Sequence, residues 1–492
     1  MKKRSRLVPP ISGRSSSGLP SWRREELLTT LWLVPAALTV AAVVLFVVTY
    51  ELDLAASHHH LTLPGWIHTL SPSDAREVLS AVAAAVITVV GLVFSITILA
   101  LTLATQQFGP RMMRNFVRDV GNQITLGVWV ATFVYAVLTL GAISGSSTKT
   151  FVPDISITVT EVLLIADVVV LIYFIHHIAK SIQLPEVVAS IATDLFNAID
   201  AEFPEMADDS LDSGHPLTSR PVSDDADERS VDGLCRLLET QGATVPAGTS
   251  GYLQFVGYGQ LVNIAEDAGA VIRLSHRTGH FIVAGRPLAR VWPPKAAAQV
   301  AVALDKSHVT GPHRTLIQDP VFAIDQLVEI GIRALSPAVN DTFTALTCID
   351  WISAGLCRIS TRKLAEGVYR DRTGEVRLIE FDPSYPRMVN RAVDKIRQAS
   401  AGMPAVVIRL IDSLTYVIGY TTSSSQRAVI IRQAEMIMRA AERDIVEPND
   451  LDQIRGRFEA LIAVSEERET TGSAQQDRSD QDRRPEDSPS VI

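Results

Sequence analysis

Apolar positions along the chain change character near residue 180. Before it they form unbroken runs, and after it they recur at helical spacing or in short alternating stretches. Four runs without Lys or Arg, Leu27–Tyr50, Val78–Leu103, Ile124–Ile143 and Ile155–Ala179, are each long enough at about 1.5 Å per residue to cross about 30 Å of hydrocarbon. The first exceeds the roughly 7–15 apolar residues of a signal peptide and is expected to remain as an anchor. Ile182, Val188, Ile191, Leu195 and Ile199 then predict an amphipathic connecting helix over 180–204, kinked at Pro185.

An acid-rich stretch with prolines and serines, 205–232, reads as a linker. Residues 233–467 read as a folded α+β domain with a small β module. Strands are expected at Thr244–Val256, Ala270–Leu274, His280–Val291 and Gly374–Phe381, with a short helix at Gln260–Ala268. Between Asp319 and Ala365 the pattern is helical, with Phe322, Leu327, Ile330 and Ala334 on one face and Phe343, Leu346, Ile349 and Leu356 on another. Helices are expected at Pro383–Ala401, Pro404–Tyr420, Ser424–Glu447 and Asn449–Glu467, and the polar tail 468–492 is expected to be disordered. The predicted architecture is a mainly α membrane protein: a basic N-terminus (1–26), a four-helix transmembrane bundle (27–179), then a soluble α+β cytoplasmic domain.

Charge orients this picture. Lys2, Lys3, Arg4, Arg6, Arg14, Arg23 and Arg24 precede the first run, and Arg111, Arg114 and Arg118 lie between the second and third. The positive-inside rule then puts both termini in the cytoplasm, with 51–77 and 144–154 outside. Across all 492 residues the net charge is −9, which argues against a nucleic-acid partner and leaves the lipid bilayer as the partner the sequence requires. An oligomer is compatible with the composition and not demanded by it. Three cysteines without CxxC spacing give no disulfide framework or zinc site.

Candidate chemistry lies mostly in the spans. Asp167 falls near the middle of the fourth and Glu161 nearer its outer end; Thr88, Ser95 and Thr102 in the second and Thr125, Thr132 and Thr139 in the third recur every seven residues. A carboxylate at mid-bilayer costs at least about 2.5 kcal/mol and must face a partner or a wet cavity. Asp167, Glu161, Thr88, Ser95, Thr102 and Thr132 are therefore candidates for an ion or proton path, with helix-packing hydroxyls and a hydrogen-bonded structural acid as the competing reading. Arg111, Arg114, Arg118, His176 and His177 are candidates for lipid contact or for coupling to the soluble domain. His58, His59, His60 and His68 read as a solvated loop, and His308 and His313 near Asp305 and Asp319 form at most a weak site. Ser336, Asn340 and Asp341 mark a candidate turn site, where Pro337 breaks one helix and Asn340 or Asp341 can cap the next. No phosphate-binding loop, nucleophile elbow or HExxH helix occurs, so neither an enzyme nor a cofactor is expected.

Longer motifs carry a resemblance. Gly91-Leu-Val-Phe-Ser-Ile-Thr97, Gln106-Gln-Phe-Gly-Pro-Arg111 with Arg114-Asn-Phe116, Tyr173-Phe-Ile-His-His-Ile178, Ser250-Gly-Tyr-Leu-Gln254, Gly279–Leu288, and Ala334-Leu-Ser-Pro-Ala-Val-Asn-Asp341 with Phe343-Thr-Ala345 together resemble a bacterial family of predicted membrane proteins with a domain of unknown function. The likeness spans about Trp32 to Leu461 and implies a multi-pass protein of the bacterial inner membrane. The leading reading is an ion or solute channel or transport-like protein with a regulatory cytoplasmic domain; the alternative is a membrane-anchored sensor or scaffold whose soluble domain binds a partner or small ligand.

Overall fold

The computed structural model describes residues 32–59, 70–108, 120–146, 149–181, 183–203, 225–362, 364, 367–380 and 385–482. The chain divides into two compact units, one ending at Val187 and one running from Val188.

The first unit holds four long helices: α1 (Leu33–His59), α2 (Pro72–Phe108), α3 (Val120–Ala142) and, after a short antiparallel hairpin of β1 (Ser144–Ser146) and β2 (Lys149–Phe151), α4 (Asp154–Ser181). All four are long and apolar enough to cross a membrane. Each overlaps its apolar run but ends elsewhere, because a helix can outlast the hydrocarbon it crosses. Thus α1 continues through Glu51-Leu-Asp-Leu-Ala-Ala. Pro72 sits at the first position of α2, where a missing N–H costs nothing, and the Ser71 hydroxyl accepts from the Asp74 N–H at 3.2 Å.

α3 packs against all three of the others. Its buried side includes Gln123, Thr125, Trp129, Thr132, Tyr135 and Thr139. Gly127 lets α1 approach: a Cβ there would lie 2.7 Å from Leu38 Cδ1 and 3.0 Å from Pro35 Cα. Near the far end of α1 the Thr49 hydroxyl and Tyr135 hydroxyl meet at 2.8 Å. The buried Asp53 carboxylate accepts from the Ile155 N–H (2.7 Å), the Ser156 N–H (3.0 Å) and the Ser156 hydroxyl (2.7 Å). Asp53 thereby caps the N-terminus of α4 from a different helix, satisfying donors that α4 leaves unpaired.

α5 (Leu184–Glu202) begins just before the division and buries Val188, Ile191, Ala192, Leu195 and Ile199 in the second unit, as its spacing predicts; α6 (Asp225–Gln241) follows. α6 covers part of the expected linker, and Val231, Leu234 and Leu238 give it an apolar face that packs on the β module. The β module interleaves β3 (Ala243–Pro246), β4 (Gly251–Val256), α7 (Tyr258–Asp267), β5 (Val271–Leu274), β6 (Phe281–Ile282), β7 (Pro287–Trp292), α8 (Ala297–Leu304) and β8 (His308–Gly311). Then come α9 (Val321–Ala334), α10 (Thr342–Ser360), β9 (Val368–Arg370), β10 (Val376–Ile379), α11 (Tyr385–Ala399), α12 (Pro404–Tyr420), α13 (Ser424–Asp444) and α14 (Pro448–Asp482). One sheet runs β3-β7-β5-β10-β9, with β5 and β10 its parallel pair, and a second runs β6-β4-β8.

The β-rich stretch expected at Thr244–Val256 is two strands, β3 and β4, in different sheets. Pro246 and Gly248 break it. Leu253, Leu261, Ile272, Leu288, Val291 and Leu378 join the core that α7 and α8 cover. In the helical part, α12 buries Val406, Val407, Leu410, Ile411, Leu414, Val417 and Ile418, and packs against α10, α13 and α14. Phe343, expected on an apolar face with Leu346, Ile349 and Leu356, stands 83% exposed in the first turn of α10, while Ala345 in the same turn is buried. The tail expected to be disordered from 468 continues α14 to Asp482, a stretch that is free of proline.

Candidate functional site

Asp167 is buried on α4, with one carboxylate oxygen accepting from the Thr132 hydroxyl at 3.1 Å. The Trp129 indole N–H donates to the Asp167 backbone carbonyl at 3.3 Å, and the second carboxylate oxygen has no hydrogen-bond partner among the described residues. Thr88, Ser95 and Thr102 lie on the exposed face of α2, and two of them turn back on their own helix: Thr88 donates to the Ala84 carbonyl and Thr102 to that of Ile98, both at 2.8 Å or less. Thr139 likewise donates to the Tyr135 carbonyl. Of the hydroxyls expected along a polar path, Thr132 meets the acid and the α2 trio does not. Glu161 is half-buried further along α4. His177 stacks on Tyr173 with ring centroids 5.4 Å apart, and His176 is exposed. Arg111, Arg114, Arg118, His60 and His68 lie outside the described residues, as do the side chains of His58 and His59.

The Ser336–Asp341 turn is a helix junction. The Ser336 hydroxyl donates to the Arg333 carbonyl, Asn340 takes a φ of +50°, and Asp341 caps α10 by accepting from the Thr344 N–H (3.1 Å) and hydroxyl (2.5 Å). His308 holds the Leu304 carbonyl at 2.6 Å and His313 is exposed, so neither joins Asp319.

The densest convergence of charge lies where the β module meets the helices of the second unit. Arg314 spans two buried acids: its Nε and Nη2 donate to Asp319 Oδ2 at 2.9 and 2.7 Å, and its Nη1 to Asp325 Oδ2 at 2.6 Å. Arg391 grips Asp325 with two donors at 2.8 and 2.6 Å. Gly279, at φ +82°, lets the loop between β5 and β6 lie against Asp319; a Cβ there would stand 2.0 Å from Asp319 Oδ2. Next to this network is a cavity of about 30 Å³, lined by Glu202 and Phe203 from the end of α5, Arg277 and Thr278, Gln318, Pro320 and Val321 at the start of α9, Tyr369, Glu380, and Arg387 with Met388 on α11. It has room for a water molecule or two, or for a small polar group.

Its charges divide into two sets. Glu380 is held by tyrosines, Tyr258 donating at 2.5 Å and Tyr369 at 2.9 Å from rings stacked 5.0 Å apart. Burial and the Glu380 carboxylate push both phenols up, so they stay donors. Arg277, only 7% exposed, and Arg387 have no carboxylate oxygen within 4.0 Å among the described residues. Both point a donor at His280 Nε2, Arg277 Nε at 3.3 Å and Arg387 Nη2 at 3.0 Å. Guanidinium only donates, so that nitrogen accepts and the imidazole is neutral. Burial and the surrounding arginines lower His280 to about 4, in keeping with this.

Glu202 is raised to about 7 by burial, then by the Glu380 and Asp319 carboxylates. The folded protein holds this proton more tightly than the unfolded chain, so its cost grows as pH rises from about 4.5 and is complete above about 7. Full-length Glu202→Gln in detergent should be more stable than the parent at pH 8, by about 1–3 kcal/mol, and the gain should vanish toward pH 4.5. A gain of equal size at both pH values would assign it to packing.

Sequence reasoning missed this cluster because its residues come from separate segments. One signal was present: Asp325 sits on the buried face of α9 between Val321 and Val328, where periodicity expects an apolar residue.

Four membrane-length helices followed by a unit of helices and small sheets define an integral membrane protein with a large extramembrane part. Residues 29–416 match the family model described as "Predicted membrane protein (DUF2254)", and the chain belongs to that family. Uncharacterized proteins of Mycobacterium tuberculosis and Mycobacterium bovis are each 31% identical over 402 residues, covering 80% of this chain and 74% of theirs. No solved structure matches.

Proposed function

We propose that this is a membrane-anchored sensor of the bacterial inner membrane, with both termini cytoplasmic, whose second unit binds a small ligand in the cavity between Arg277, Glu202 and Arg387. The observation that carries the reading is the position of Glu202 and Phe203. They end the helix that follows the fourth span within a few residues, and they line the cavity. α5 is also clamped to α10, Asp200 pairing with Arg358 (2.5 Å) and Arg362 (2.6 Å). A ligand that changes the cavity therefore acts on α5. The basic flanks of the first span and of the loop after the second support the orientation.

The test is hydrogen exchange on full-length protein in nanodiscs, with a panel of cellular metabolites screened by thermal shift. At least one compound should raise the melting temperature and slow exchange across α5. Panel-wide silence, or binding that leaves α5 unchanged, would overturn the reading. A second reading, ion or proton transport, is favoured by the unpartnered oxygen of Asp167. Liposome flux that Asp167→Asn alters would make it the better one.

A further inference from the structure

We propose that the cavity is an oxyanion site, in which Arg277 and Arg387 clamp a phosphate or carboxylate group at the N-terminus of α9. This deepens the sensor reading and rests on it.

Four arginines gather here, and two are already neutralised. Arg314 and Arg391 are committed to Asp319 and Asp325. Arg277 and Arg387 instead meet at a neutral imidazole, which accepts hydrogen bonds and supplies no charge. Among the described residues neither has a carboxylate at ion-pair distance, and buried guanidinium charges are normally paired. Both arginines line the cavity, so an anion placed there would reach both.

The rest of the lining fits the same chemistry. Pro320 and Val321, at the start of the 14-residue α9, line the cavity, so the positive end of the helix dipole faces it, although the N–H groups of Phe322 and Ala323 are already taken by the Asp319 and Pro320 carbonyls. Asp319 and Glu380 act on Arg277 from beyond ion-pair distance, while the Glu380 oxygens are taken by the hydroxyls of Tyr258 and Tyr369 and burial favours the neutral form of Glu202. A protonated Glu202 is a donor that an oxyanion can use. The cavity's size admits the charged group of a ligand and would exclude a bulky body.

The experiment uses full-length protein in nanodiscs in phosphate-free buffer, titrated with sodium phosphate, with sodium succinate, and with sodium chloride at matched ionic strength. Thermal shift reads binding and hydrogen exchange reads α5. A saturable rise with phosphate, with succinate or with both supports the proposal, and the responding arm separates a phosphoryl from a carboxylate group. Arg277→Gln and Arg387→Gln should each weaken that binding about tenfold or more, as loss of a charge-assisted hydrogen bond requires. Arg387→Lys, which keeps the charge and loses the planar fork, should bind between parent and Gln variant, and it serves if Arg277→Gln does not fold.

No saturable response beyond that of chloride, or equal affinity in parent and arginine variants, overturns the proposal. If a neutral or cationic metabolite binds and protects α5 while both oxyanions fail, the oxyanion site falls and the sensor reading stands. If phosphate or succinate binds with the expected arginine dependence and α5 exchange does not change, the site stands and the sensor reading falls.

Discussion

Asp325→Ala is expected to destabilise the second unit by about 3–5 kcal/mol, the cost of removing one partner from a buried ion pair. Asp325 is 8% exposed and receives three guanidinium donors, one from Arg314 and two from Arg391. The loss falls unequally on the two arginines. Arg391 has half its side chain in solvent and can rehydrate, whereas Arg314 is mostly buried and keeps Asp319 as its remaining acid. Arg314 also lies over the Phe322 ring at 5.0 Å, so displacing it loosens the first turn of α9. Full-length protein in detergent should show a lower denaturation midpoint and faster amide exchange in α9 and α11. A variant with unchanged midpoint and exchange would remove this network from the account of stability.

Gly279→Ala should cost about 2–4 kcal/mol through two separate effects. At φ +82° an alanine is strained by about 1–2 kcal/mol. Its methyl would also stand 2.0 Å from Asp319 Oδ2 and 2.7 Å from Asp319 Cγ, and relief of that overlap adds about 1–3 kcal/mol. Asp319 cannot swing away freely, because Arg314 holds the same oxygen with two donors. The effects separate in a double-mutant cycle: Gly279→Ala with Asp319→Ala should lose less than the sum of the single losses, since the overlap disappears and the backbone strain remains. Additive losses would show that the close approach carries no energy.

Both predictions concern residues that the pattern of the sequence barely marks, and the reason is physical. A membrane span declares itself locally, since every residue of an apolar run bears on the same transfer energy; α1 to α4 were legible for that reason, and only their ends were not. The amphipathic stripe of α5 and most of the later helices were legible from spacing alone. The break at Pro246 and Gly248 was visible in composition, but its consequence, two strands sent to different sheets, depends on distant partners. The charged cavity depends on such partners entirely. Glu202, Arg277, Glu380 and Arg387 each resemble an ordinary surface residue until the fold assembles them. In the spans, Asp167 stood out because a carboxylate is rare there, yet its spacing could not reveal that Thr132 rather than the α2 hydroxyls would reach it.

The bond between Asp53 and the start of α4 has a consequence in time. Asp53 and Ser156 are 103 residues apart, so at about 5–20 residues per second a ribosome makes the second about 5–20 s after the first. Through that interval the far end of α1 carries a carboxylate without its three donors, and α4 does not yet exist to receive a cap. The α1 carboxylate is thus satisfied only when α4 arrives, and a chain interrupted after α3 lacks the three donors that Asp53 accepts from in the finished bundle.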